Sequence, residues 1–199
     1  FLSGGATINS DVSLLNIVHS GTSSLTVNEA NSLSLGLVSM ANSTVSINTA
    51  GGGDLTVNLA GGSLTGTGGS LNLTAANDLN INASLNGSVG ATDITLSATA
   101  GSLNVASGIS VDSGGGNVVL SANTAGEEVN VSGGATVASG SGKIIISGDK
   151  VLIDGISSTN VSADAISITS NTDIQDNGAG TDVNAANGGV VLIANTGIH

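Results

Sequence analysis

The chain contains no cysteine, no proline, no tryptophan and no tyrosine, and its one phenylalanine is Phe1. The absence of cysteine excludes disulfides, thiolate metal sites and a cysteine nucleophile. The absence of proline is typical of a chain in which nearly every strand donates backbone hydrogen bonds to a neighbour. Because large rings are almost missing, the composition favours a narrow interior packed with small branched aliphatic side chains.

Positive charge is also scarce, since Lys143 and Lys150 stand against 14 acidic residues and the net charge is −12. Nucleic-acid binding depends on Lys and Arg contacts to phosphate, so we exclude nucleic acid as a partner. An acidic surface also disfavours docking on anionic lipid. No apolar run approaches the length of a membrane-spanning helix, and residues 1–5 lack the basic flank of a signal peptide. We therefore expect no membrane insertion.

A short apolar phrase recurs between residues 71 and 192 at a nearly fixed interval. It occupies residues 71–73, 94–96, 118–120, 144–146, 166–168 and 190–192. The first residues of these phrases are 23, 24, 26, 22 and 24 positions apart. A period in this range indicates a stack of like units instead of a globule around one central core.

Two further phrases follow the first within each repeat. The second phrase occupies residues 79–81, 103–105, 129–131 and 151–153, and then Ile174 and Ile198. The third, weaker phrase is at Leu85, 109–111, Val137, 156–161 and Val183. All three alternate apolar and polar residues, which predicts strands because successive side chains of a strand point to opposite faces.

These patterns predict an all-β fold, a parallel β-helix or β-solenoid with three short strands per coil of about 24 residues and about eight coils. At a strand spacing of about 4.8 Å, the stack would rise on the order of 40 Å. Glycine is abundant, with 31 residues, and we assign it to corners that need positive φ. The apolar share of 39% and the alternation favour this fold over a disordered, low-complexity chain.

We interpret residues 1–199 as a single β-solenoid domain without a linker. Residues 51–199 form the regular coils, and residues 1–50 form less regular ones. Within residues 1–50 we place Leu25 and Val27, and then Val45 and Ile47, on the first strand of successive coils. Leu33–Leu37 and Leu55–Asn58 take the second position, and Ile8, Val12, Leu14 and Ile17 belong to the first coil. Segment 11–40 has the least regular register.

Most carboxylates stand just before or after a predicted strand, as at Asp54, Asp78, Asp93, Asp149 and Asp154. One interpretation is that they solvate corners, and the alternative is that they bind calcium, since Ca²⁺ prefers oxygen ligands. The glycine-rich calcium-binding nonapeptide of RTX proteins is approached only at 178–182 and is not repeated. The candidate ligands of a structural calcium ion are Asp173, Asp176 and Asp182, and no other metal or cofactor site is expected.

The sequence offers no catalytic constellation, and we expect no enzymatic activity. His19 and His199 are the only histidines, and neither stands in a recognisable Ser-His-Asp pattern. Residues 140–143 resemble a phosphate loop only superficially, because Ile144 replaces the Ser or Thr and no helix follows. The equivalent residues Asn80, Asn104 and Asn130 instead predict an outward ladder of amides across three coils.

Three segments carry a resemblance to a known family: GGSLNLTAANDLNINA (68–83), DITLSA (93–98) and GGNVVLSAN (115–123). They resemble the repeats of filamentous-haemagglutinin-like exoproteins of two-partner secretion in Gram-negative bacteria, and the resemblance covers roughly residues 50–199. It implies a long right-handed β-helix outside the cell or at the cell surface, serving adhesion, aggregation or the biofilm matrix. The family's Asn-Pro-Asn-Gly-like secretion motif is absent, so the chain corresponds to the shaft.

Three functional hypotheses remain open from the sequence. The first is an extracellular structural or adhesive shaft that contacts a host or cell-surface receptor or a polysaccharide. The second is a subunit that stacks head to tail into a filament, because neither end of the sequence shows the polar cap that normally closes a solenoid. The third is a β-helix that binds or degrades polysaccharide, or binds ice, although Thr65-Gly66-Thr67 is not repeated at the period.

Overall fold

The computed structural model describes residues 5–58, 64–66, 68–87 and 90–199, and within them it contains 24 β-strands and no helix. Every strand pairing is parallel, and partners come from successive coils. The strands form three rows that run along the stack. The prediction of an all-β parallel solenoid is therefore confirmed.

The first row is a nine-stranded sheet in which strands follow one another in chain order, coil by coil. Its strands are β1 (Ala6–Ser10), β3 (Leu25–Glu29), β5 (Ser43–Thr49), β8 (Gly69–Ala75), β11 (Thr92–Ala98), β14 (Val118–Ala122), β17 (Ile144–Gly148), β20 (Ile166–Ser170) and β23 (Val190–Ala194). The predicted first phrases lie in β8 through β23, in the predicted register.

The second and third rows contain shorter strands. The second row consists of β6 (Leu55–Val57), β9 (Leu79–Ile81), β12 (Leu103–Val105), β15 (Glu128–Val131), β18 (Lys150–Ile153), β21 (Asp173–Asp176) and β24 (Gly197–Ile198). The third row consists of β7 (Leu64–Gly66), β10 (Leu85–Asn86), β13 (Ser110–Asp112), β16 (Thr136–Ala138), β19 (Ile156–Ser158) and β22 (Val183–Ala185). The predicted second and third phrases fall on these strands, although Ile109 precedes β13, and Val161 lies beyond β19 and is 79% exposed.

The first two coils depart from the three-strand plan. Their second strands are long, β2 (Leu14–His19) and β4 (Leu33–Met40), and they pair with each other with a register shift between Leu15 and Asn16. The strand β4 continues into both later rows, because its start pairs with β6 and its end with β7. These rows therefore join into one 15-stranded sheet. Since Ala6, Leu25 and Val45 are coil equivalents, the first two coil steps are only 19 and 20 residues.

The core is a set of aliphatic columns, one residue per coil. In the first row Leu71, Ile94, Val118, Ile144 and Ile166 stand in register and are fully buried. Each buried aliphatic side chain contributes roughly 1.5–3 kcal/mol relative to exposure. Of the residues predicted for the first coil, only Ile17 is buried, whereas Ile8, Val12 and Leu14 are exposed.

Corner glycines allow the backbones of successive coils to approach closely, and some of them also adopt a positive φ. A Cβ on Gly142 would lie 1.9 Å from the carbonyl oxygen of Gly116, one coil away, although Gly142 has no positive φ. At Gly69 both demands coincide, because its φ is 89° and a Cβ would lie 2.0 Å from the Ser43 carbonyl oxygen. The assignment of glycine to positive φ alone was therefore incomplete.

Candidate functional surfaces

Carboxylates and hydroxyls at the corner before the second row form a ladder along the stack. Each residue donates its backbone amide to the side chain of its equivalent one coil earlier. The Asp54 amide donates to the Ser32 hydroxyl (3.0 Å), the Asp78 amide to Asp54 (3.2 Å) and the Ser102 amide to Asp78 (2.9 Å). The Glu128 amide then donates to the Ser102 hydroxyl at 3.1 Å. These side chains join coils, which is a more specific role than the corner solvation expected from the sequence.

At other corners, too, a backbone amide donates a hydrogen bond to a side chain of a neighbouring coil. The Asn117 amide donates to the Asp93 carboxylate at 2.8 Å, and the Lys143 amide donates to the Asn117 side-chain oxygen at 2.9 Å. Asp149 accepts from the Gly126 amide at 2.8 Å, and Asp154 accepts from the Gly134 amide at 2.5 Å. Much of the acidic complement is thus engaged in holding successive coils together.

The three candidate calcium ligands do not share one site. Asp173 and Asp176 stand at opposite ends of β21. The Asp173 carboxylate accepts hydrogen bonds from the Thr196 hydroxyl and from the side-chain amide of Gln175. The Asp176 carboxylate accepts a hydrogen bond from the Gly178 backbone amide at 2.7 Å. Among the residues that the structure describes, no group of three acidic or histidine side chains is arranged to hold a metal ion.

Asp182 instead lies near Asp176 and the buried Asp154. Burial raises the pKa of the Asp182 carboxyl, and the negative charges of Asp176 and Asp154 raise it further. One of its carboxylate oxygens is buried and has no hydrogen-bond partner. Sequence reasoning missed Asp154 as a member of this group, because Asp154 and Asp182 stand 28 positions apart and belong to successive coils.

The remaining polar residues singled out in the sequence have local partners. His19 ends β2, and its Nε2 lies 2.5 Å from the Ser23 carbonyl oxygen. The Lys143 ammonium donates to both carboxylate oxygens of Asp164 at 2.8 Å. This pairing lowers the pKa of Asp164 and occupies the lysine of the loop at 140–143. His199 directly follows the last second-row strand, β24, and its backbone amide donates to the Ile174 carbonyl oxygen.

The amide ladder predicted on the second row is confirmed in part. Asn80, Asn104 and Asn130 are register partners, and Asn104 donates to the Asn80 side-chain oxygen at 3.2 Å. The Asn130 side-chain oxygen accepts instead from Asn177 at 2.7 Å. A second ladder that the sequence analysis missed links Asn48 to Asn28 and Asn28 to Asn9, each at 3.1 Å.

Two shallow grooves lie on the outer walls. The larger, of about 330 Å³, lies on the third row and is lined mainly by small residues, among them Ala138, Gly140 and Ser157, with Asp112 as its one carboxylate. The other, of about 280 Å³, lies near Asp54 and Thr56. Both grooves are open to solvent.

The outward side of the first row, which we call the plain face, carries two columns of uncharged residues. The first column is Thr7, Thr26, Ser46, Asn72, Thr95, Val119, Ile145, Ser167 and Val191. The second column is Asn9, Asn28, Asn48, Thr74, Ser97, Ser121, Ser147, Thr169 and Ile193. Neither column contains an acidic or basic residue.

Large apolar side chains are exposed at the two ends of the described stack. Leu14 and Val18 in β2 are 58% and 73% exposed, and Ile193 and Ile198 in the last strands are both 53% exposed. The terminal strands β1 and β23 each have one strand partner. These ends therefore present both apolar surface and unpaired backbone groups.

Comparisons with known proteins give no relative: no protein family, no curated protein and no solved structure matches the chain. The described part of the chain contains no helix that is long and apolar enough to cross a membrane.

Proposed function

We propose that this chain is part of the structural and adhesive shaft of a bacterial surface or secreted exoprotein, which acts outside the cell in adhesion, aggregation or the biofilm matrix. The observation that carries the proposal is the β-solenoid itself. Its interior is filled by aliphatic columns, and its polar groups are distributed along outer walls in step with the coils. The resemblance of segments 68–83, 93–98 and 115–123 to filamentous-haemagglutinin-like repeats supports an extracellular role in a Gram-negative bacterium.

The proposed shaft has no catalytic activity and carries no cofactor. Its side walls would contact a receptor or a polysaccharide at many shallow points, so that affinity comes from multivalency. The groove on the third row, which is lined by register-equivalent residues of successive coils, is one such point.

Surface display tests this proposal. The chain would be fused to an outer-membrane anchor in a non-adherent bacterium, and cells would be scored for retention on epithelial monolayers and plastic and for autoaggregation. The control displays Leu96→Asp, which places a charge in the filled core and unfolds the stack. We expect the native chain to increase retention or aggregation relative to this control. Equal values for both, with equal display by antibody labelling, would refute the proposal.

The exposed ends favour a second candidate, in which subunits stack head to tail into an extracellular filament. Pairing β23 of one copy with β1 of the next would satisfy both sheet edges and cover Ile8 and Leu14. Such a heterologous contact propagates without closing. Electron microscopy of the purified chain distinguishes the two, because continuous filaments support stacking and rods of one fixed length contradict it.

A further inference from the structure

Charge is distributed unevenly around the stack. Among the nine first-row strands only two acidic residues occur: Glu29, which points inward and is buried, and Asp93, at the edge of its strand. The corner before the second row, in contrast, carries Asp54, Asp78 and Glu128. A chain with a net charge of −12 thus has one wall, the plain face, whose two columns are free of charge.

In the single chain, hydrogen bonds already hold in place the polar side chains of the plain face. Its amides and hydroxyls are bonded to each other between coils, as in Asn72 to Ser46 (3.2 Å) and Ser121 to Ser97 (3.0 Å). Toward the later coils it becomes aliphatic, with Ile145 43% exposed and Ile193 53% exposed. Rows of side chains that are already fixed lose little conformational entropy on binding.

Its dimensions match a protein interface. Nine strands about 4.8 Å apart give a length of about 40 Å, and five residues per strand give a width of about 17 Å. The product is about 650 Å² per copy, close to the roughly 800 Å² per partner that a specific complex buries. Two sheets pack face to face about 10 Å apart, with their side chains interdigitated.

We propose that the plain face binds the plain face of a second copy of this chain, so that two solenoids associate side by side. The occupant follows from electrostatics. Two copies with a charge of −12 repel each other most strongly where carboxylates face carboxylates, as they would at the corner before the second row, whereas contact through the plain face keeps the carboxylates of both copies at the margin of the interface. Pairing through sheet faces leaves the strand edges at both ends untouched, so the proposal does not depend on head-to-tail stacking or on adhesion.

Ile145→Glu tests the interface, and Leu152→Glu is its matched control. Both residues belong to the same coil and point outward, Ile145 from the first row and Leu152 from the second, and both changes add one negative charge. Sedimentation equilibrium would measure self-association of the native chain and both variants. We expect Ile145→Glu to weaken association about tenfold or more, which corresponds to about 1.4 kcal/mol. Leu152→Glu should leave the association constant nearly unchanged.

Added salt should strengthen association, because it screens repulsion between carboxylates that flank the face, such as Asp93.

Circular dichroism establishes whether each variant is folded. If Ile145→Glu does not fold, Ser167→Glu replaces it as the test of the interface. Small-angle scattering then identifies the geometry: side-by-side pairs double the cross-section at constant length, whereas end-to-end pairs double the length. A chain that stays monomeric, a dimer insensitive to charge on the plain face, or a lengthened particle would each overturn the proposal.

Discussion

Glu29 shows how one residue departs from the repeat and is accommodated. It points inward in β3, and its side chain is 1% exposed. Burial raises the pKa of Glu29, but hydrogen bonds from the Ser10 hydroxyl and from the backbone amides of Val12, Asn31 and Ala30 outweigh it. As a result, the pKa of the folded state lies below the ordinary value of 4.5. The carboxylate therefore links the first two coils as an ion.

The lowered pKa of Glu29 fixes the sign of a pH effect. Its contribution to the free energy of unfolding is fully present above about pH 4.5 and is lost as the pH falls through the folded pKa. Glu29→Gln removes the charge but keeps the shape, and we expect it to destabilise the chain by about 1–2 kcal/mol at pH 7. Urea denaturation at pH 7 and pH 3 checks this expectation. The difference between native and variant should shrink at pH 3, and a difference independent of pH would contradict the assignment.

At the scale of elements, the corner before the second row determines how coils attach to each other. The strands there are short, and β9 and β12 contribute only three residues each. Backbone pairing is correspondingly limited, so the ladder from Ser32 through Asp54, Asp78 and Ser102 adds a connection per coil. The aspartates of the repeat thus act as acceptors for amides that would otherwise lack a partner at the turn.

Asp78→Ala breaks this ladder at its centre and leaves the Ser102 amide without its acceptor. We expect a loss of about 1–2 kcal/mol in the free energy of unfolding, measured by urea denaturation. Asp78→Asn keeps a side-chain oxygen and should recover most of the loss. Asp164→Ala removes an equal charge from an exposed ion pair and should leave stability nearly unchanged. Equal effects of Asp78→Ala and Asp164→Ala would show that net charge, and not the ladder, is responsible.

The elements that could be read from the sequence are those set by periodicity alone. The pairs Leu79 with Leu103 and Leu103 with Val129 follow from the spacing of apolar phrases, and the structure confirms them. The full length of β4 was not predicted: the apolar phrase was placed at Leu33–Leu37, whereas the strand runs on to Met40, because Gly36 has no positive φ and forms no corner. The proximity of Asp154 to Asp182 was missed for another reason: proximity across coils depends on where each turn points, and apolar spacing carries no information about that.

At the scale of the whole molecule, strands pair only between successive coils, and the Asn177–Asn130 hydrogen bond is a contact that skips one coil, so stability is distributed along one axis. Central coils are buried from both sides, as Leu96 and Leu120 are, with 0% exposure. The terminal strands β1 and β23 have a single partner, and the side chains of Ile8 and Val190 are 48% and 41% exposed. A stack of this kind opens from its ends more easily than from its centre.

Hydrogen exchange followed by mass spectrometry checks this gradient in the 199-residue chain. Amides of β11 and β14 should exchange on the order of 100-fold more slowly than those of β1 and β23, a difference of about 2.8 kcal/mol in opening free energy. Side-by-side pairing would slow exchange little at the ends, because it covers a face and not the strand edges. Head-to-tail stacking would protect β1 and β23 as the concentration rises. Uniform exchange at all dilutions would instead indicate that the coils unfold as a single cooperative unit.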